Sequence, residues 1–321
     1  MKVLLTGYSG FVGRYLARAF KKHGYSVRVL LHRRTVPKRE FLLEAHEVVW
    51  GGIHDVETIR QATAGIRIVV HSAWAPSRSS AKSPSLNERG AQLLLEESVR
   101  NEVERFVFLS SVAVYGMKRQ TDSVISESAQ LVHTDELDFA YPSEKRAVEN
   151  RLLTLEKKHT KLAIFRPGPI FDANRGPAKK RVRVFGATYA VGLGHGRNQM
   201  PYIHVQDVCQ AILKWVQNGQ NDVIFNVTPS NSLSALDWLV RWGDVTGQSQ
   251  KPVFVRPLFI RFFGFAVNVL KRVLRKQGKA DFKYALSSAT RNLIYSNLAI
   301  KNALGWTDSA TAQFTSSDPE K

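Results

Sequence analysis

A chain of 321 residues that is 44% hydrophobic is long enough to bury one full α/β core, or one plus a smaller lobe. Its formal net charge of +19 attracts anionic ligands, nucleic acid or acidic membrane. No zinc-ligand spacing, helix-turn-helix or aromatic RNA-binding signature accompanies that charge, which argues against nucleic acid as a dedicated partner. The lone cysteine, Cys209, excludes an internal disulfide framework, fits a reducing cytoplasm, and beside Val208 and Ala211 reads as a small core residue. No run of about eighteen apolar residues exists, so no membrane span is expected. Met1-Lys2 leads straight into a strand, leaving no room for a signal peptide, and the expected location is cytoplasmic.

In chain order, the first strand, Lys2–Thr6, runs into Thr6-Gly7-Tyr8-Ser9-Gly10-Phe11-Val12-Gly13 and then a helix near Gly13–Lys22 with Tyr15, Leu16, Ala19 and Phe20 at helical spacing. Glycine permits a tight turn there and lets a pyrophosphate approach main-chain N–H groups at a helix N-terminus. Strands follow at Val27–His32 and Glu47–Trp50, then a helix at Val56–Ala64 capped by Asp55 and stopped at Gly65. A strand at Arg67–Ser72, a helix at Leu86–Arg100 and a strand at Arg105–Ser110 continue the alternation. The stretch Gly116–Asp138 is polar and irregular and reads as a loop. Tyr141-Pro142-Ser143-Glu144-Lys145 opens a helix near Pro142–Lys158, putting a phenol and an ammonium four residues apart on one face. A strand at Leu162–Arg166 closes this part. Alternating β and α elements predict a doubly wound parallel sheet, an α/β fold of Rossmann type.

After Arg166-Pro167-Gly168-Pro169, glycine, proline and bases dominate to Pro201. A strand-helix return at Tyr202–Gln217, a strand at Val223–Val227 and a helix near Ala235–Val245 come next. The tail from Thr307 is small and polar and is expected to fray. Bases cluster twice: Arg175, Lys179, Lys180, Arg181, Arg183 and Arg197 without an acid between Ala173 and Gln206, and a second group from Arg256 to Lys283. They read either as a solvated surface or as a field for an anionic ligand. On a helical wheel, residues 257–277 show a basic face (Arg261, Lys271, Arg272, Arg275, Lys276) and a wide apolar face (Phe259, Ile260, Phe262, Phe263, Val267, Leu270, Leu274). Such a helix packs in a lobe, lids an apolar pocket, or makes peripheral contact with an anionic membrane. His71, His195 and His204 lack ligand spacing, so no metal is expected.

These motifs resemble the extended short-chain dehydrogenase/reductase superfamily, the group labelled NAD-dependent epimerase/dehydratase. Its T-G-x-x-G-x-x-G turn is matched by Thr6, Gly7, Gly10 and Gly13, its Y-x-x-x-K by Tyr141 and Lys145, and its S-S-x-x-V-Y-G segment by Ser110 through Gly116. Val70-His71-Ser72-Ala73, Arg166-Pro167-Gly168, Ile203-His204-Val205-Gln206-Asp207-Val208 and Leu304-Gly305-Trp306 extend the match along nearly the whole chain. The resemblance implies an NAD(P)-binding Rossmann-like domain over residues 1–165, to which 202–228 return. A substrate lobe would be built from 166–201 and 229–306, with a flexible tail at 307–321. It implies Ser111, Tyr141 and Lys145 as catalytic residues, with Asn87 in the place of a helix asparagine that supports a proton relay. Cofactor contacts would come from Gly7, Tyr8, Ser9, Gly10, Phe11, Val12 and Gly13, from Ile53, from Ser72, Ala73 and Trp74, and from Pro167 and Ile170, besides Tyr141 and Lys145. Relatives often dimerise through the two long helices, which makes a homodimer an expectation by analogy.

A tyrosine with an ordinary pKa near 10 is a poor base until a nearby ammonium stabilises its phenolate. Tyr141 would exchange a proton with a substrate oxygen, Lys145 would also hold the nicotinamide ribose, and Ser111 would hydrogen-bond the reacting oxygen. The second strand ends in Leu31-His32-Arg33-Arg34 with no acid before Glu40, so His32, Arg33 and Arg34 suit a 2′-phosphate and predict NADP over NAD. Gly51-Gly52-Ile53 stands where relatives often carry Gly-Asp-Leu, so Gly52 offers adenine no carboxylate. After Ser111 come Val112 and Ala113 where sugar-nucleotide dehydratases usually place Asp-Glu, which argues against water elimination. The R-P-G form favours interconversion of a secondary alcohol and a ketone, on a substrate that is anionic or lipid-like. Nucleotide-sugar epimerisation or reduction is the alternative, and a non-catalytic NADP-binding sensor the second alternative.

Overall fold

The computed structural model describes residues 1–32, 44–75, 84–116, 123–131, 140–173, 175, 182–185, 189–219, 221–246, 251–256, 258–259 and 291–315. In chain order the first elements are β1 (Lys2–Thr6), α1 (Phe11–Lys22), β2 (Ser26–Leu31), β3 (Glu47–Trp50), α2 (Val56–Thr63) and β4 (Ile68–His71). Next come α3 (Leu86–Arg100), β5 (Arg105–Leu109), a 3₁₀ turn (Val112–Tyr115), β6 (Val124–Ile125), α4 (Ala140–Thr154), β7 (Lys161–Pro167) and β8 (Ile170–Phe171). β9 (Val182–Phe185), β10 (Tyr189–Leu193), β11 (Gln199–Met200), β12 (Ile203–His204), α5 (Val205–Asn218) and β13 (Val223–Val227) follow. The described chain continues through β14 (Leu233–Ser234), α6 (Ala235–Thr246), β15 (Lys251–Val255), β16 (Ile294–Tyr295), α7 (Leu298–Leu304) and α8 (Ser309–Thr315).

The period-2 alternation of apolar strands decides the layers. Val3, Leu5, Val27, Val29, Ile68, Val70 and Val107 face one side and join Leu16 and Phe20 of α1 and Val208, Ile212 and Trp215 of α5 in one buried cluster. Leu4, Leu30, Val69, Phe106 and Phe108 face the other and pack with Ile59 of α2, Leu94 and Leu95 of α3, and Val148 and Leu152 of α4. The seven-stranded sheet has the order β3-β2-β1-β4-β5-β7-β13, and each neighbouring pair is parallel. Strand order reverses between β1 and β4, which opens a crevice beyond their carboxyl ends. This is the doubly wound α/β fold expected from the alternation. β13 forms the far edge of the sheet, so the chain re-enters it after β8–β12.

Local capping agrees with the sequence. Asp55 caps α2 by accepting from Glu57 N at 3.2 Å, and Ser85 caps α3 by accepting from Glu88 N at 3.1 Å. Gly65 stands past α2 at φ +68°. Two expectations fail. Within the stretch read as loop, Val124 and Ile125 pair in parallel with Ile294 and Tyr295, because Ile125 joins Val114, Tyr115, Leu293 and Tyr295 in a small buried cluster. The tail is also ordered as far as Thr315. Asp207 Oδ2 accepts from Thr311 N (2.7 Å) and Thr311 Oγ1 (2.6 Å), and its Oδ1 accepts from Ala310 N (3.0 Å). Phe314 then packs 4.7 Å from Phe171 and 5.1 Å from Trp238, ring centre to ring centre.

The amphipathic segment 257–277 falls outside the described residues apart from Leu258 and Phe259, both exposed. Among the described residues no helix is long and apolar enough to cross a membrane.

Replacing Asp207 with Ala strips three donors of α8 of their acceptor and should cost about 2 kcal/mol of stability. Urea unfolding of the two proteins checks this; an unshifted midpoint would mean that the contact between α5 and α8 contributes nothing.

Candidate active site

The crevice at the switch point is the mouth of a cavity of about 1270 Å³. The glycine turn forms one wall for steric reasons. Gly7 has φ +80°, and a Cβ there would stand 2.5 Å from Ala73 N; a Cβ on Gly13 would stand 2.2 Å from Gly7 O. The turn therefore presses against the end of β4, and α1 presses against the turn. α1 starts at Phe11 with no capping side chain and no acid in its first turn, so its N-terminal N–H groups are left to an anion. Gly7, Ser9, Gly10, Phe11, Val12 and Gly13 all line the cavity. Tyr8 does not: its ring is buried in the core with Leu16 and Phe20, because the turn directs this side chain inward behind the loop. Its side chain therefore belongs to the core, and any contact with a cofactor would come from the main chain of the turn.

His32 and Ile53 line the adjoining end, with Ile53 packed against Gly90 of α3. Arg33 and Arg34 lie outside the described residues. Among the described residues the cavity lining contains no carboxylate. Ser72, Ala73, Trp74, Pro167 and Ile170 continue the wall. Ser72 Oγ donates to Thr6 O at 2.8 Å, tying β4 to β1. His71 lies against Thr6 Oγ1 at 2.7 Å, and burial, then the Lys145 charge, drives its pKa down to about 3, so it stays neutral.

At the carboxyl end of β5, α4 delivers Tyr141 and Lys145 from its first turns, and Ser111 caps the 3₁₀ turn. Lys145 is 4% exposed and its Nζ donates to Leu109 O at 2.6 Å. That ammonium stands 3.9 Å from the centre of the Trp74 ring and 4.7 Å from that of Phe108. Trp74 meets the Tyr141 ring edge-on at 5.6 Å. Ser111 Oγ accepts from Ala113 N at 3.2 Å and faces the cavity. Asn87 brackets Ala75, accepting from its N–H (2.9 Å) and donating to its carbonyl (2.8 Å), and also donates to Glu144 Oε2 at 3.3 Å. It thus links the segment that follows β4 to α4. Among the described residues no cluster of His, Cys, Asp or Glu could hold a metal.

A model of the NAD dependent epimerase/dehydratase family matches residues 3–228, more than half of the chain. The chain belongs to that family. It is an NAD(P)-dependent enzyme of the extended short-chain dehydrogenase/reductase type.

Among its relatives, the decarboxylating sterol-4-alpha-carboxylate 3-dehydrogenase of Dictyostelium discoideum is 24% identical over 239 residues, 72% of each chain. A 4-hydroxy-2-methyl-3-oxo-4-farnesyl-3,4-dihydroquinoline-1-oxide ketoreductase of Stigmatella aurantiaca is 24% identical over 71% of this chain and 68% of its own. The photosystem II assembly factor Ycf39 of Cyanophora paradoxa matches over 40% of this chain at 26% identity, and the match spans 42% of that protein. Two solved structures share the fold: the UDP-glucose 4-epimerase of Thermus thermophilus in complex with NAD (TM-score 0.69, 20% identity, 96% of this chain and 94% of that one) and MoeE5 in complex with UDP-glucuronic acid and NAD (TM-score 0.70, 19%, 96% and 94%).

Beneath the site of this epimerase/dehydratase chain lies a buried polar network. Arg166 grips Glu149 with Nε (3.1 Å to Oε1) and Nη2 (2.6 Å to Oε2), and its Nη1 donates to Tyr115 OH at 2.7 Å. Tyr115 OH passes the bond on to Asn226 Oδ1 at 2.7 Å. The network ties β7, α4, the 3₁₀ turn and β13 directly under Lys145. Motif reading missed several cavity residues: His54, Arg175, Arg291, Leu293 and Tyr295. His54 follows directly on Gly51-Gly52-Ile53 and could have been found from that position. Arg291 and Tyr295 come from a distant part of the chain, with no local signal.

Burial lowers the Lys145 pKa from its ordinary value near 10.5 to about 7, and the Glu149 carboxylate opposes that fall. Between pH 7 and 10.5 the unfolded chain therefore binds the proton that the folded one has released, so Lys145 makes cofactor-free stability rise with pH across that window. The urea-unfolding gap between wild type and Lys145→Met should move in favour of wild type from about pH 7 to about pH 9.5; a gap that does not change with pH would contradict the burial argument.

Proposed function

We propose that the chain is an NADP-dependent oxidoreductase that interconverts a secondary alcohol and a ketone, with Tyr141 as the acid/base. One observation carries this reading. The phenol, the buried ammonium and the strand-end hydroxyl converge in a cavity whose described lining holds no carboxylate.

The residues fit a nicotinamide dinucleotide. The uncapped, acid-free start of α1 suits its diphosphate, and the acid-free end of β2 suits a 2′-phosphate better than a bare ribose diol. When bound, the nicotinamide supplies or accepts the hydride. Tyr141 moves the proton at the substrate oxygen, and Ser111 holds that oxygen in line. Lys145 Nζ lies 5.9 Å from the centre of the Tyr141 ring and stabilises the phenolate through its charge. With Val112 and Ala113 after Ser111, no side chain at these positions supplies the further acid or base that water elimination needs.

The wall beyond Ser111, made of Val112, Ala113, Met200, Pro201 and Leu293, is apolar and suits a hydrocarbon body around the reacting carbon. Relatives named for a sterol and for a farnesyl-bearing ketone support an isoprenoid-like substrate. A second reading, epimerisation of a nucleotide-linked sugar, draws on Arg175 and Arg291 in the same lining and on neighbours solved with such ligands.

Tyr141→Phe should lower kcat about 100-fold or more while leaving NADPH affinity intact. Full turnover by this variant with a ketone substrate would sink the acid/base assignment. In fluorescence titrations, wild type should bind NADPH at least about tenfold tighter than NADH, and Arg33→Ala should remove most of that preference. Equal affinity for both cofactors in the wild type would point to the NAD-using epimerase reading instead.

A further inference from the structure

Arg175 brings to the cavity wall a guanidinium that no motif places there. It follows β8, and its Cζ stands 4.6 Å from the centre of the Phe11 ring, Phe11 being the first residue of α1. Both residues line the cavity. The backbone at Arg175 is held by an isolated antiparallel bridge, with Arg175 N donating to Asp172 O at 3.1 Å and Asp172 N donating to Arg175 O at 3.3 Å. Asp172 is buried, and its Oδ2 accepts from Tyr15 OH at 2.7 Å. Tyr15 lies one turn along α1 from Phe11, and the two rings meet edge to face at 5.6 Å. α1 therefore holds this segment at two points, a hydrogen bond at Asp172 and a cation–π contact at Arg175.

That geometry has a direction. A guanidinium lying on an aromatic ring keeps its N–H edges available for an anion, and it grips phosphate oxygens in a bidentate manner. The ring beneath it belongs to the helix end that has neither a capping side chain nor an acid in its own first turn. An anion seated on those N–H groups meets Arg175 on its open side. Tyr141 and Lys145, where the substrate oxygen would react, belong to α4, not to this helix end.

We propose that Arg175 binds the diphosphate of the nicotinamide cofactor, closing the glycine-turn anion site from outside the strand-and-turn framework. The proposal rests on the reading of this cavity as a dinucleotide site and adds to it a contact from the segment that follows β8.

The test uses the full chain with Arg175→Met and Arg175→Lys. The bridge to Asp172 is made by main chain, and Met can still pack on Phe11, so the strap survives both changes. Calorimetric titration with NADPH, NADH and ADP-ribose should show about a tenfold loss for Arg175→Met with all three ligands, since each carries the diphosphate. Arg175→Lys, which keeps a cation, should fall between that variant and wild type. The substrate KM measured at saturating cofactor should stay unchanged. Undiminished ADP-ribose affinity in Arg175→Met overturns the proposal, and so does a raised substrate KM with cofactor affinity intact, which would give Arg175 to the substrate. A wild-type chain that binds none of the three ligands refutes the dinucleotide reading itself, an outcome distinct from either of these.

Discussion

The rest of the site depends on one buried ion pair. Arg166 is 2% exposed and Glu149 is fully buried, and two charges so placed are tolerable only because guanidinium and carboxylate meet along two edges. Removing either partner from such a pair typically costs about 3–5 kcal/mol, since the other charge is left stranded. Here the pair joins the last turns of α4 to the end of β7, and through Tyr115 and Asn226 it reaches the 3₁₀ turn and the sheet edge. The helix that carries Tyr141 and Lys145 is thus held at its far end by electrostatics and at its near end by Lys145 on the Leu109 carbonyl. These two anchors set α4, and with it Tyr141, at the carboxyl end of β5.

Charge in this protein is sorted by place. Carboxylates are absent from the described cavity lining, yet buried ones appear one layer down, as Glu149 under Lys145 and Asp207 under α8. The effect is a cavity whose walls read as positive or neutral to any guest, while each buried acid is matched by donors out of the guest's reach. Lys145 shows the balance: burial discourages its charge, Glu149 and the faces of Trp74 and Phe108 favour it, and the result is an ammonium near its neutral point. A group so poised responds to any new anion or dipole brought into the cavity.

What could be read from the sequence was what local sterics and periodicity enforce. The glycines of the turn are demanded by contacts within a few ångströms, the strands by strict alternation, and the Tyr–Lys pair by its spacing on a helix. Those features carried both the fold class and the placement of Ser111, Tyr141 and Lys145 around one cavity. A turn motif names positions without saying which side chain points inward, so the burial of the Tyr8 ring could not be read from it. The helix α8 was missed because Ser309-Ala310-Thr311 is unremarkable by composition, and its order comes from Asp207 about a hundred residues earlier. β6 was missed for the same reason: Val124 and Ile125 pair with a strand far away in the chain. Arg175 stood in view within a basic run, but only the fold sets it on Phe11.

The closure of α8 over Asp207 also bears on how the chain reaches its shape during synthesis. The main sheet is complete at β13, yet the acid in α5 that helps pack one face of that sheet must wait for residues 310 and 311 before its oxygens find their donors. Helix α5 and helix α8 are consequently joined by a contact of long sequence separation, of the kind that slows folding. A nascent chain still short of Thr311 lacks the donors that Asp207 accepts from in the finished fold, so α5 gains this contact only once that residue has left the ribosome.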